Sequence, residues 1–327
     1  MTQREKAVSL TLGLAGLAFL LLIGGQARAV DFAKAIPPEY RVGGEWALGC
    51  QAYSFNRYTF FEAVDKTKET GCRLIEGYPK QRLSKENPTP LNHDAPQEVL
   101  DAAKKKLNEA GIKLVAYGVV GLGNNEADNR KVFDFCKKMG VLVIQSEPPE
   151  EALPLVAKLA KEYDIPVALH NHPQPSRYWD PKHCLESVKG LAPWVGSGAD
   201  TGHWMRSEVN PLEALKMLQG NIVSLHIKDL NEFGKGAHDV PFGTGKADMK
   251  AILDELRRQK FNGIMSIEYE YNWESSVPEI KQCVDFLRAY ASGEKLSPAK
   301  ATETEKPAAK KAGGRRGGAR KTKGQAK

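Results

Sequence analysis

Three polar clusters in the second half of the chain are of the right types and spacing to do chemistry together. Asp200-Thr-Gly-His203 is followed 26 positions after Asp200 by His226, in Ser-Leu-His226-Ile-Lys228-Asp229, and later by Glu268, in Ser-Ile-Glu268-Tyr-Glu270. Each cluster closes a short apolar run, so a carboxylate, an imidazole and a second carboxylate stand at the ends of three consecutive expected strands. That donor set suits a hard-to-borderline divalent cation. A parallel barrel is the architecture that collects such strand ends on one face.

The elements that must position them alternate along the body of the chain. Strands are expected at 46–55, 73–78, 113–120, 141–147, 166–172, 195–200, 222–228 and 263–269, each a short run bounded by turn residues. Amphipathic helices lie between them. Gln97–Ala110 places Val99, Leu100, Ala103, Leu107 and Ala110 on one face, and segments 151–163 and 248–258 repeat the pattern. Gly71, Gly111 and Gly140 mark helix ends ahead of the next strand. Eight βα units with short connections predict an α/β fold, a single-domain (β/α)8 TIM barrel. An open doubly wound sheet is the rival. It is disfavoured because no Gly-x-Gly-x-x-Gly follows the first strand.

In a closed barrel, alternate strand residues face the interior. Glu76 then aligns with Tyr78, Gln145 with Glu147, His170 with His172, Ser224 with His226 and Lys228, and Glu268 with Glu270. All five sets fall at C-terminal strand ends, where barrel enzymes keep their chemistry. Four of the seven histidines (His170, His172, His203 and His226) sit there too. Burying so many imidazoles and carboxylates in one mouth without a cation is costly. One bound divalent ion is therefore expected, with Mn2+, Mg2+, Co2+ and Zn2+ all suited to mixed oxygen and nitrogen ligands.

Together and in this order, Asp200-Thr-Gly-His203, His226-Ile-Lys228-Asp229, the Gly243-Thr-Gly245-Lys-Ala-Asp248 loop and Ser-Ile-Glu268 resemble the xylose isomerase-like TIM barrels. That superfamily holds sugar (phosphate) isomerases and epimerases, inosose dehydratase and apurinic-site endonucleases. The resemblance spans residues 44–290. It implies a metal held by an upstream acidic residue, Asp200, His226 and Glu268, with His203 and Lys228 near the substrate. The chain departs from the sugar epimerases on the fifth strand, where their Glu is replaced by His170 in Ala-Leu-His170-Asn-His172. This His-x-His is similar to inosose dehydratases and related keto-sugar enzymes. The fourth ligand is then Glu147 or His170. Glu147 is the reading adopted, with His170 or His172 as catalytic base or substrate contact.

The chemistry expected of such a site is proton abstraction beside a carbonyl, through a metal-stabilised enediolate. Glu268, His170, His172 and Lys228 are the candidate catalytic groups. Glu76, His203, Trp204, Arg206 and Glu270 are candidate substrate contacts, and Tyr178 and Trp179 could add to an aromatic sugar-binding mouth. The expected function is a sugar isomerase or epimerase acting on an unphosphorylated sugar. The alternative is a lyase or dehydratase that eliminates a β-substituent from a keto-sugar or 3-keto-glycoside. An endonuclease would need further histidines on the second and third strands, and 73–78 and 113–120 contain none. A metal-free carbohydrate-binding barrel is the remaining reading.

The ends of the chain differ from its body. Residues 1–29 read as an export signal: Arg4 and Lys6, a 16-residue uncharged run from Ser9 to Gly24, and a small-x-small Ala27-Arg28-Ala29. This predicts a periplasmic or extracellular protein, membrane-anchored if the leader is not cut. The last 31 residues, 297–327, hold ten Lys or Arg and two Glu, with no aromatic residue and no Val, Ile or Leu. Such a tail cannot bury apolar area and reads as disordered. The leader carries +2 and the tail +8, so residues 30–296 carry −3 of the total +7. The basic balance therefore describes a tail suited to anionic envelope polymers. It makes nucleic acid an improbable partner for the folded body, while a homo-oligomer stays open. The five cysteines, with no C-x-x-C, read as small core hydrophobes, although export would permit a bridge.

Overall fold

The computed structural model describes Phe32 and residues 34–296. The expected leader and basic tail lie outside the described residues. The elements run in the order β1 (Ala47–Gln51), α1 (Phe60–Glu69), β2 (Leu74–Gly77), α2 (Gln97–Ala110), β3 (Lys113–Tyr117), α3 (Glu126–Met139), β4 (Val143–Ser146), α4 (Leu153–Tyr163) and β5 (Val167–His170). There follow α5 (Pro181–Ser187), β6 (Val195–Asp200), α6 (Thr201–Arg206), α7 (Pro211–Met217), β7 (Ile222–Ile227), a ribbon of β8 (Asp229–Leu230) with β9 (Asp239–Val240), α8 (Met249–Arg258), β10 (Ile264–Ile267) and α9 (Val277–Ser292). Eight parallel strands close in the ring order β1-β10-β7-β6-β5-β4-β3-β2, and β8 and β9 pair antiparallel outside it. This is the (β/α)8 barrel that the alternation of patterns predicts.

Nearly every barrel-strand residue is buried, as a sheet with the barrel interior on one side and helices on the other requires. Strand starts form the floor. Ala47, Leu74, Val115, Ala116, Val143, Ala168, Val223 and Ile264 pack there around Phe32 and Ile36. Arg41 fastens that lead-in segment by donating to the carbonyls of Ile36 (3.1 Å), Glu45 (3.1 Å) and Phe32 (3.0 Å). Burying the Phe32 side chain is worth about 1.5–3 kcal/mol. The larger cluster lies between strands and helices, and all five cysteines are free and buried. Among the described residues no helix is long and apolar enough to cross a membrane.

Caps set where the helices begin and end. Thr59 and Glu62 form a reciprocal capping box on α1. Helices α2 and α3 end on Gly111 (φ +68°) and Gly140 (φ +76°), a left-handed conformation that costs glycine little. All eight expected strands are present, but most are shorter than the sequence suggests, chiefly at their C-terminal ends. After β1, for example, the Gln51 side chain accepts the Tyr53 N–H at 3.0 Å, and the chain turns into a 3-10 segment, Ala52–Phe55, instead of continuing the strand. Polar side chains that bond the local backbone compete with the ladder in this way.

Candidate metal centre

Asp200 ends β6 and caps α6. Its Oδ1 accepts the His203 N–H at 2.7 Å, which places His203 in the first turn of that helix. Its Oδ2 is buried without a hydrogen bond. Around Oδ2 stand Lys228 Nζ as an ion pair at 2.9 Å, His170 Nε2 at 3.6 Å, and His203 Nε2 and His226 Nδ1 at 3.7 Å. Two clasps fix the strand ends beyond the ladder. Asn171 donates to the Asp200 carbonyl (3.0 Å) and accepts its N–H (2.8 Å). Thr201 Oγ1 donates to the Lys228 carbonyl and accepts its N–H, both at 2.8 Å.

The partners of the imidazoles fix which nitrogen faces the centre. His226 Nε2 meets Glu76 Oε1 at 2.9 Å, and Ser266 Oγ donates to the other Glu76 oxygen at 2.6 Å. Glu76 therefore holds a proton on Nε2. His226 Nδ1 turns to Glu268 Oε2 at 3.0 Å. His170 repeats the arrangement: Nδ1 meets Glu147 Oε1 at 3.2 Å, while Nε2 is buried without a hydrogen bond. His203 is reversed. Arg206 Nη1 donates to its Nδ1 at 3.0 Å, so the proton of the neutral ring sits on Nε2, facing inward. His172 places Nδ1 against Glu147, which leaves its Nε2 for the cavity it lines.

Electrostatics keep the acids ionised despite burial. Burial favours the neutral form of Asp200, but His203, Lys228 and His170 hold its carboxyl well below the usual carboxylate range. Against the same burial penalty, Lys228 and then His226 bring Glu268 down to about 2, and Lys228 and Arg206 bring Glu270 to about 2. Burial works against the Lys228 ammonium, yet Asp200, Glu268 and Glu270 push it well up. Glu147 is held well below the ordinary range by His170 and His172, again against burial. His203 moves the other way. Burial first, with Lys228 and His170 adding to it, pushes its imidazole well down, so it stays neutral.

These residues fit a divalent ion. Ring nitrogens of His170 and His203 and carboxylate oxygens of Asp200 and Glu268 all lie within 4.8 Å of one another. With the inward His203 Nε2 protonated, His226 Nδ1, 3.7 Å from Asp200 Oδ2, is the ring nitrogen suited to take its place as a ligand. One atom of the cluster, His170 Nε2, is buried with no hydrogen bond, a state that costs free energy unless a cation takes it up. It stands 3.6 Å from Asp200 Oδ2, which meets the Lys228 ammonium as an ion pair at 2.9 Å. Carboxylates behind ligating histidines are the usual outer layer of such sites, and Glu147 and Glu76 stand in that relation to His170 and His226. Of the set expected from sequence, Asp200 and Glu268 lie in this cluster and His226 borders it. Glu147 groups instead with His170 and His172.

A cavity of about 410 Å³ opens over the cluster, lined by Gln51, Tyr53, Tyr78, Pro79, Lys80, Gly118, Val119, His170, His172, His203, Glu268 and Glu270. Lys228, expected among the catalytic groups, is wholly buried beneath Asp200, Glu268 and Glu270. Glu76 is 1% exposed and lies below the mouth, against His226. Trp204 and Tyr178 belong to the core, and Trp179 does not line the cavity. Arg206 pairs with Glu270 and with Asp239 (2.8 Å), to one side of the lining. Sequence reasoning passed over Gln51, Tyr53 and Lys80. Their signal was weak, because each sits in a turn just past an expected strand end or inside an overlong strand.

The family model for xylose isomerase-like TIM barrels matches residues 64–290. The chain belongs to that family. A solved structure of an uncharacterized protein from Parabacteroides distasonis is 34% identical, with a TM-score of 0.62, over 74% of this chain and 98% of that one. Two more distant structures share the fold. The probable 3-DHS dehydratase of petrobactin synthesis from Bacillus anthracis is 14% identical (TM-score 0.56; 73% and 97% covered). A D-psicose 3-epimerase structure in the presence of D-fructose is 15% identical (TM-score 0.56; 75% and 97% covered). No curated protein matches the chain significantly. Family and cluster together describe a metal-dependent enzyme of the isomerase, epimerase and lyase class.

Proposed function

We propose that the protein is a metal-dependent sugar isomerase or epimerase that removes a proton beside the carbonyl of an unphosphorylated sugar. The observation that carries this is the buried cluster in which His170 Nε2, without a hydrogen bond, stands 3.6 Å from the Asp200 Oδ2 carboxylate oxygen and beside Glu268. His170, Asp200, His226 and Glu268 would hold the ion. When bound, it would supply a Lewis acid that offsets the negative charge growing on the substrate as the proton leaves. Glu268 and His172 are the proton carriers on the two sides of the cavity, and Glu147 orients His172. The His203 Nε2–H hydrogen-bonds a substrate oxygen. Lys228 keeps the three carboxylates ionised and in register. Among the cavity-lining residues Lys80 is the only Lys or Arg, which favours a sugar without phosphate, since phosphate sites gather such cations.

A second reading is elimination, favoured by His170 at the position where the family's epimerases carry Glu. With one carboxylate of that pair gone, a proton removed by Glu268 is not readily returned by a like group on the opposite face. The electron pair of the broken C–H bond would then form a C=C bond. The C–O bond at the β-carbon breaks, and the leaving alcohol takes a proton from His172. Deuterium uptake from solvent into keto-sugars, with product identification, separates the two. Isomerisation or epimerisation returns a labelled sugar, whereas elimination releases the substituent. The Glu268→Gln variant is expected to lose tightly held metal and to slow exchange by ~10²–10⁴-fold. Full exchange in that variant would refute the assignment.

A further inference from the structure

The cavity wall facing away from the His170 and His172 side has no part in the chemistry just described. Tyr53 follows β1, and Tyr78, Pro79 and Lys80 follow β2. In the closed ring β1 stands diametrically opposite β5, so these residues lie across the mouth from His170 and His172. Tyr53 is 39% exposed, one of three exposed large hydrophobic residues among those described. It meets Tyr78 edge-on, at 5.3 Å and 81°, and Trp273 edge-on, at 5.8 Å and 86°. Its backbone is pinned by the Gln51 side chain at 3.0 Å. Burial, and then Tyr53 beside it, push the Tyr78 phenol up to about 12, so it remains a hydrogen-bond donor.

We propose that Tyr53 and Tyr78 form a second subsite, which takes a ring-shaped substituent joined to the reacting sugar through a glycosidic oxygen. A rigid aromatic body with a polar tip suits a ring that has an apolar face and hydroxyls at its rim. Lys80 stands beside it to bond those hydroxyls. The cavity is large enough, since pockets of ~300–1,000 Å³ hold ligands well beyond a single small ring. Binding energy collected on such a remote group can serve the reaction at the other end. This inference rests on the reading of the metal cluster as the reacting end. It names the substrate class as a glycoside with a ring-sized leaving or spectator group.

The test is calorimetric titration of the intact, Mn2+-supplemented protein with methyl β-D-glucoside, phenyl β-D-glucoside and cellobiose. Phenyl glucoside or cellobiose is expected to bind ~10-fold more tightly than the methyl glucoside. Which of the two gains more tells an aryl from a glycosyl substituent. Tyr53→Ala should reduce that gap to twofold or less and leave the methyl glucoside unchanged, while Tyr53→Phe should keep it. Equal affinities in the wild type, no binding of any of the three, or a Tyr53→Ala loss shared by all three would overturn the subsite. Deuterium exchange into keto-sugars, run alongside, keeps the two readings apart. Exchange without a gap sinks the subsite alone, and a gap without exchange sinks the reaction alone.

Discussion

Asp200 divides its two oxygens between two tasks: Oδ1 caps a helix, and Oδ2 is left for the centre. The same economy governs the histidines, each of which has one nitrogen fixed by a partner so that the other has a defined role. Glu76→Gln tests this at His226. It keeps an acceptor near Nε2 but removes the charge that holds the ring, and it should weaken Mn2+ binding ~10–100-fold while the circular dichroism spectrum stays native. Unchanged affinity would reduce Glu76 to a buried packing group. The acids make a second prediction. Glu268 and Glu270 are held at about 2, whereas an unfolded glutamate titrates near ~4.3. Depressed carboxyls give stability that is complete above the unfolded value and is lost as pH falls through the folded one. The melting temperature should therefore drop between about pH 4 and pH 2, and less steeply in Glu270→Gln. At this scale Asp200, His226 and Glu268 were legible because each closes a strand in the chain itself. Gln51 and Glu76 were harder to place: the chain does not say that Glu76 from β2 spans the barrel to His226, as it does in the fold.

The elements matter through how they are tied at their ends. The ladder stops at or just before the reactive residues, and side-chain clasps take over, as Asn171 does for Asp200 and Thr201 for Lys228. Asp229 does the same for the Gly243–Ala247 loop. Its carboxylate accepts the N–H groups of Gly243 (2.9 Å), Gly245 (3.0 Å) and Ala247 (3.1 Å). Asp229→Asn leaves one acceptor oxygen for three donors and should cost about 1–3 kcal/mol in denaturant unfolding. Hydrogen exchange at those amides should accelerate more than in α8, and uniform protection would argue against the clasp. The sequence signalled this loop through its glycines and Asp248. It did not reveal that Asp229 gathers it, because a carboxylate beside a strand end has no marked partner until the loop folds over it. The β8–β9 ribbon was missed for a related reason: two residues on each side make no periodic pattern.

At the scale of the whole molecule, charge and chemistry are separated. Residues 30–296 carry −3 and tail residues 297–327 carry +8, so adhesion to anionic polymers and turnover should be separable. Deleting 297–327 is expected to leave metal affinity and turnover unchanged and to abolish retention on an anionic matrix at low salt. A large loss of turnover would show that the tail reaches the barrel. Export, with cleavage after Ala29, is the accompanying expectation, and amino-terminal sequencing of the mature protein checks it. The ring itself sets the geometry of the mouth. With β1 opposite β5, an aromatic wall and a histidine wall face each other across the cluster.

The sequence by itself determined the architecture and the carboxylates and imidazoles that gather. Both follow from local rules: the period of apolar residues sets the element type, and a polar residue that ends an apolar run must emerge at a strand's end. Only the tertiary structure decided which nitrogen of each histidine faces inward, that Glu147 sides with His170 and His172, and that Tyr53 and Tyr78 rather than Trp204 line the cavity. Those outcomes depend on distances between strands that share no neighbourhood in the chain. They are fixed only when the barrel closes and each buried polar group takes the partner left within reach.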